Sequence, residues 1–350
     1  MNIWRWFPAF AGKHSDTRRA VSAGLLLTLT ACATYPDISQ SRSPCRMEPG
    51  GWCDFVREGA VKAYPYAITS LQTYEADEDI YAFPPDWLVK VDPPEEWETN
   101  PPIDPEEREK TGFHYTVWER YRPGTPIAEQ AGPLERILSF RGTDAAGNGI
   151  LRDIFYGTIS DDQAKLAMQA YDAETSRFSD EVPWVVTGHS LGGALATEIS
   201  VQDRKVTAFM FNTSPFYSGE ADANADKRTV FNERGEGLRY PARYKPEPAA
   251  EVFTLNCSPG VNAATKHKMR RLADCLIWIA AYADREAGKL IEAHKDEDPY
   301  TIKRPIVECR RETDGHPGVM EHEEFPCEHI ARPSDEAKED ANEAEQSEPS

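Results

Sequence analysis

The sequence predicts an α/β fold in which a mostly parallel central sheet is flanked by helices. Short β-branched or aromatic runs alternate with helical periodicity over residues 114–283. One such run, Val185-Val186-Thr187, enters Gly188-His189-Ser190-Leu191-Gly192, and the helix-favouring Gly193-Ala194-Leu195-Ala196 leaves it. A Gly-x-Ser-x-Gly turn between strand and helix lifts the serine hydroxyl above the sheet. Glycines are expected at 188 and 192 because side chains there would strike the neighbouring strand and helix. The chain has 350 residues, 40% of them hydrophobic, enough for a sizeable core in one large domain or two small ones.

The chain opens on a segment outside this fold. Arg18-Arg19 precede the apolar run Ala20 to Ala31, too short to span a bilayer and suited to a signal-peptide core. Its end, Leu29-Thr30-Ala31-Cys32, resembles the lipobox of bacterial lipoproteins. The resemblance implies cleavage before Cys32, acylation of that cysteine and a membrane anchor in the bacterial cell envelope. Alanine at 33, in place of an aspartate, resembles lipoproteins sorted to the outer membrane. Residues 1–31 are then signal peptide and 32–44 a tether. Without residues 1–31 the chain keeps 35 Lys and Arg against 58 Asp and Glu, a net charge of -23. Such a charge repels phosphates and argues against a nucleic-acid partner.

Six cysteines follow Cys32, and an even count after an export signal suggests disulfides. The simplest pairing joins sequence neighbours: Cys45 with Cys53, Cys257 with Cys275, Cys309 with Cys327. A metal site from Cys309, His316, His322, Cys327 and His329 is the lesser reading, since the spacings fit no zinc signature. No metal and no organic cofactor is expected.

Residues 45–330 form the expected catalytic domain. Residues 45–74 carry a helical pattern (Phe55, Val56, Gly59, Ala60, Ala63) expected at the domain edge. Residues 75–110 are acidic with seven prolines, which predicts an exposed insertion. Strands are predicted from His114 to Tyr121, Leu134 to Phe140, Pro183 into the elbow, Val206 to Phe211, Arg228 to Phe231 and Glu251 to Leu255. Helices are predicted from Gln163 to Phe178, Ala194 to Val201 and Met269 to Ala283. Ile150, Leu151, Ile154 and Phe155 have the spacing of a one-sided apolar helix. Residues 331–350 are acidic with almost no apolar side chain, a composition that predicts disorder.

Acyl transfer from a serine needs a nucleophile, a base, a group that orients the base, and donors for the oxyanion. Ser190 is the candidate nucleophile, and the Leu191 N–H, at the start of a helix, a candidate oxyanion donor. On the hydrolase fold the acid and the histidine follow the serine in that order. His267 lies in the loop between the last strand and the Met269 helix, where that fold delivers its base. Glu236, on the turn after the Arg228 strand, is the favoured acid, with Glu233 as the alternative. Arg141-Gly142-Thr143 ends an earlier strand, and Thr143 is the second oxyanion candidate.

Phe140-Arg141-Gly142-Thr143, followed about 45 residues later by Thr187-Gly188-His189-Ser190-Leu191-Gly192-Gly193-Ala194-Leu195-Ala196, resembles the class 3 (fungal-type) lipase family over residues 114–283. The resemblance implies an α/β-hydrolase fold, a serine esterase or lipase, a lipid or small ester as substrate, and a lid, for which the apolar face at 150–155 is the candidate. Two departures stand out. Asn232-Glu233-Arg234-Gly235-Glu236 replaces the aspartate-bearing segment of the family, and Asn212-Thr213-Ser214-Pro215 its glycine-rich turn. An amidase or peptidase on the same fold, and a degenerate hydrolase serving as a surface-binding lipoprotein, are the alternative readings. Nothing in the sequence specifies an oligomeric state.

Overall fold

The computed structural model describes residue 45 and residues 48–305, apart from 75–79, 143–160, 179–180, 243, 259 and 297–298. Cys32 and the tether, Thr143, the apolar stretch at 150–155, Cys309, Cys327 and the acidic tail lie outside the described residues.

Seven strands form one sheet: β1 (Leu88–Val91), β2 (Tyr115–Arg120), β3 (Glu135–Phe140), β4 (Trp184–His189), β5 (Thr207–Phe211), β6 (Arg228–Glu233) and β7 (Glu251–Leu255). Their order across the sheet is their order in the chain. β1, β2 and β3 pair antiparallel, and β3 to β7 pair parallel. The sheet is therefore mixed and mostly parallel, with five parallel strands fixed by crossover connections.

That monotonic order decides where the helices go. Right-handed crossovers between successive neighbours all fall on one face of a sheet. Helices α3 (Asp161–Arg177) and α4 (Leu191–Gln202) make the first two of these four crossovers, β3 to β4 and β4 to β5. Leu166, Ala170, Leu195 and Ile199 pack there with Leu138, Val186, Ala208 and Met210 of the strands. The opposite face, carrying Ile137, Val185, Phe209, Phe211 and Phe231, must be covered by chain from outside the crossovers. Helix α1 (Asp54–Gln72) and helix α6 (Met269–Ala281) do so, from the two ends of the domain. Strand β5 displays the period of two that serves both layers, with Phe209 and Phe211 on one side and Ala208 and Met210 on the other.

Helix α1 is thus a buried layer and not an edge helix, a correction to the sequence expectation. Ala60, Ala63 and Ala67 are fully buried between α6 and the sheet, and the small side chains let the helices approach. Hydroxyls fix its register on the sheet: Ser70 Oγ lies 2.9 Å from Thr187 Oγ1, and Thr73 Oγ1 donates to Ser139 Oγ at 2.8 Å. Helix α7 (Arg285–Ala293) packs outside α6, capped by Asp284, which accepts from the N–H groups of Glu286 and Ala287.

Residues 80–111 are mostly exposed, as expected, but they carry regular structure and buried anchors that the composition did not suggest. Strand β1 joins the sheet, and Tyr81, Trp87 and Ile103 are buried. Asp104 caps helix α2 (Pro105–Thr111) by accepting from the Glu106 N–H at 2.9 Å, and Gly112 closes it with φ 65°. Asp-Pro-Glu-Glu followed by a glycine is a capping signal that the acidic, proline-rich composition had hidden.

Two of the expected disulfides are present, Cys45–Cys53 and Cys257–Cys275. The second ties the loop after β7 to the middle of α6. Leu276→Ala, at a fully buried α6 position, is expected to cost about 2–5 kcal/mol of unfolding free energy, read by urea denaturation. Replacing Cys257 and Cys275 by serine is expected to cost about 3 kcal/mol in the same measurement.

Candidate active site

Strand β4 ends at His189, and Ser190 turns the chain into α4 with φ 57° and ψ -122°. A non-glycine residue there costs on the order of 1–3 kcal/mol and persists only where the surroundings over-determine it. The Ser190 N–H donates to the Phe211 carbonyl at 3.1 Å, and its own carbonyl accepts from the Ser214 N–H at 3.0 Å. The glycines permit the approach that the turn requires. A Cβ on Gly188 would lie 2.3 Å from the Gly192 carbonyl carbon, and one on Gly192 would lie 2.1 Å from the Phe140 carbonyl oxygen. Helix α4 therefore packs against the end of β3 at backbone contact. With the strand order, this strand–serine–helix turn at the carboxyl end of the parallel strands settles the architecture. The fold is that of the α/β hydrolases.

In this α/β-hydrolase domain the carboxyl ends of β4, β6 and β7 bring three side chains together. His267 closes a one-turn helix, α5 (Ala263–His267), where the sequence suggested a plain loop. Asn262 caps that turn, its Oδ1 accepting from the Thr265 N–H at 2.8 Å. The His267 Nε2 lies 3.0 Å from Ser190 Oγ, and its Nδ1 lies 2.7 Å from Glu236 Oε2. Glu236 sits on the turn after β6, which Gly235 makes with φ 76°. The Leu238 N–H also donates to Glu236 Oε2, at 2.8 Å, so the carboxylate is aimed before it meets the imidazole. Acceptor-only on the carboxylate side, the pairing puts the ring proton on Nδ1 and leaves the Nε2 lone pair for the serine O–H. All three side chains are buried.

Glu233, the alternative acid, does not touch the imidazole. Its two oxygens accept from the N–H groups of Cys257 and Ser258, at 3.0 and 2.9 Å, and Lys266 Nζ lies 3.9 Å away. The end of β6 and the turn after it thus supply two buried carboxylates, one fastening the start of the loop that carries His267 and the other bonded to its ring. Asn212, at φ 41°, joins the same loop: its Oδ1 accepts from the Glu233 N–H at 2.7 Å, and its Nδ2 donates to the His267 carbonyl at 3.2 Å. Asn212 opens the Asn212-Thr213-Ser214-Pro215 turn at the end of β5. Asparagine's tolerance of positive φ was the available sign of a structural post there.

The Leu191 N–H opens α4, where no intrahelical acceptor exists, and it has no acceptor among the described residues. Gly142 lies close against Ser190: a Cβ there would stand 3.1 Å from Ser190 Cβ. Thr143, the next residue, lies outside the described residues. His189 is buried beside the site, its ring centroid 4.8 Å from that of His267. Burial, and then the neighbouring His267, hold its pKa well below the ordinary histidine value.

No protein-family model matches the chain, and no curated protein does. Among solved structures it is similar to the Rhizomucor miehei lipase in its propeptide complex, at 14% identity and TM-score 0.32, over 54% of this chain and 65% of that one. It is also similar to the lipase from Rhizopus microsporus var. chinensis, at 12% identity and TM-score 0.30, over 54% of this chain and 70% of that one. The chain thus spans about two thirds of the length of the lipases it matches.

The depressed pKa of His189 has a sign in stability. A histidine kept neutral in the fold but free to protonate when unfolded binds more protons in the unfolded state, so stability is lost as pH falls below about 6.5. His114, held down to about 4 by burial and by Arg141 and Arg108, acts in the same direction. Buried Asp274, whose carboxyl burial raises to about 6, acts oppositely. The test is therefore the difference: thermal unfolding from pH 7.5 to 4.5 should lose less midpoint in His114→Asn than in wild type.

Proposed function

We propose that the chain is a serine ester hydrolase acting on a lipid or small carboxylic ester through an acyl-enzyme on Ser190. The observation that carries this reading is the hydrogen-bonded line from Ser190 Oγ through His267 to Glu236, at 3.0 and 2.7 Å. Nucleophile, base and orienting acid within hydrogen-bond reach, in the order Ser, Glu, His along the chain, are what acyl transfer on this fold requires.

The steps follow from the donors and acceptors. His267 Nε2 takes the hydroxyl proton as Ser190 Oγ adds to the ester carbonyl carbon. The carbonyl π electrons move to its oxygen, which meets the Leu191 N–H, with Thr143 as the proposed second donor. One such donor is typically worth about 2.7–4 kcal/mol. The tetrahedral intermediate collapses as the alkoxide leaves with the proton from His267. A water molecule, deprotonated by the same Nε2, then adds to the acyl-enzyme and releases the acid and Ser190. Glu236 holds the imidazole in its Nδ1–H tautomer and stabilises the imidazolium while it lasts. Cys32, when acylated, would keep this domain at the envelope membrane where lipid esters are concentrated.

A fluorophosphonate probe should label Ser190 and fail on Ser190→Ala. Hydrolysis of p-nitrophenyl esters should drop about 10⁴-fold in kcat in Glu236→Gln, whereas Glu233→Gln should act chiefly on stability. Equal losses in the two variants would break the assignment of the acid. Cys32→Ala should release the protein from the membrane fraction, and unchanged partitioning would exclude the anchor.

A further inference from the structure

We propose that His189, the residue between Gly188 and Ser190, is a positioning residue that sets the distance from nucleophile to base by holding the backbone of His267. The inference rests on the reading of Ser190, His267 and Glu236 as a triad.

Helix α5 has five residues, too few to be stable by itself. His267 is its last residue, so its carbonyl has no helical N–H to accept from. Glu236 fixes one end of this residue, the ring. The other end, the carbonyl, is fixed by His189, whose Nε2–H donates to it at 2.6 Å, with Asn212 Nδ2 at 3.2 Å. Because His189 is bonded directly to Ser190, this contact ties the nucleophile's own neighbour to the base's own backbone. Ring rotation and backbone drift of the base are then both limited by groups that move with the nucleophile or with β6.

An imidazole can donate from Nε2 in its neutral form only if Nδ1 carries no proton and can accept. Tyr74 meets that demand: its hydroxyl lies 2.8 Å from His189 Nδ1 and donates to it. Tyr74 follows α1, so the chain of bonds runs from the helix on the far face of the sheet, through the elbow, to the base. The missing side chain of Gly142 makes room for it, since a Cβ there would stand 2.6 Å from the Tyr74 oxygen. The neutral form also matters electrostatically. With the two rings 4.8 Å apart, a charge on His189 would oppose each imidazolium that His267 must form during acyl transfer.

The test uses the full chain with p-nitrophenyl ester hydrolysis, normalised to active sites counted by fluorophosphonate labelling. His189→Leu is expected to lower kcat per labelled site about 100-fold with KM within about twofold of wild type, the signature of lost alignment and not of lost binding. His189→Gln, which can return an amide N–H to the carbonyl, is expected to recover at least about tenfold of that. Tyr74→Phe, the removal of one oxygen, is expected to cost about three- to tenfold in kcat. Wild-type kcat in His189→Leu or in Tyr74→Phe overturns the proposal, as does a glutamine variant no better than leucine. Should His189→Leu fail to fold, Tyr74→Phe decides on the same kcat and KM split. Absence of labelling in the wild type sinks the triad itself, and this inference with it.

Discussion

The backbone contact between α4 and the end of β3 is the constraint on which the site depends. At Gly192 the helix comes so near the Phe140 carbonyl that no side chain fits between them. Gly142, the second residue past β3, then stands against the serine, where a Cβ would lie 3.1 Å from Ser190 Cβ. The approach also forces the serine into its positive φ, which aims Oγ out of the sheet. Any residue larger than glycine at 188 or 192 would push the helix away, and Ser190, the Leu191 N–H and Gly142 would lose their mutual geometry together.

What the elbow offers, the β6–β7 end must meet. Two carboxylates three residues apart divide that task. Glu233 is spent on two backbone N–H groups, with its charge near Lys266, and Glu236 on the imidazole. Both are buried, and both are stabilised by donors fixed in the backbone, which is how a protein keeps a carboxylate in a dry place. The disulfide from Cys257 to Cys275 starts at one of those N–H groups and ends on α6, so the loop that carries His267 is braced against the core at its first residue and by side chains at its last.

Much of this was legible in the residues. The Gly-x-Ser-x-Gly turn between a β-branched run and an alanine-rich run fixed the elbow, because few other folds want glycine on both sides of a serine at such a junction. The strands from β2 to β7 and helices α3, α4 and α6 announced themselves by period. The role of α1 did not: its small residues look like a modest helix until the strand order shows that a whole face of the sheet lacks a cover. Strand β1 was hidden by the acidic, proline-rich residues around it. Glu233 and Glu236 could be separated only by tertiary geometry, since both follow the same strand and either could reach a histidine. His189 was visible as a motif letter, but its contact to a carbonyl 78 residues away has no local signal.

The sequential strand order has a consequence for how the molecule assembles. The face built on α3 and α4 draws its partners from neighbouring stretches of chain and can close as they emerge. The face that holds Ile137, Val185, Phe209 and Phe231 waits for α1 and α6, which meet each other across about two hundred residues of chain. Contacts of such separation form late, after the loop entropy between them has been lost. Without α6 that aromatic surface lacks half of its cover, and the His267 segment, which ends one residue before α6, lacks the helix it leads into. Ala287, Leu290, Ile291 and Ile302 belong to the same core, so that layer closes only when the chain beyond α6 has folded back as well.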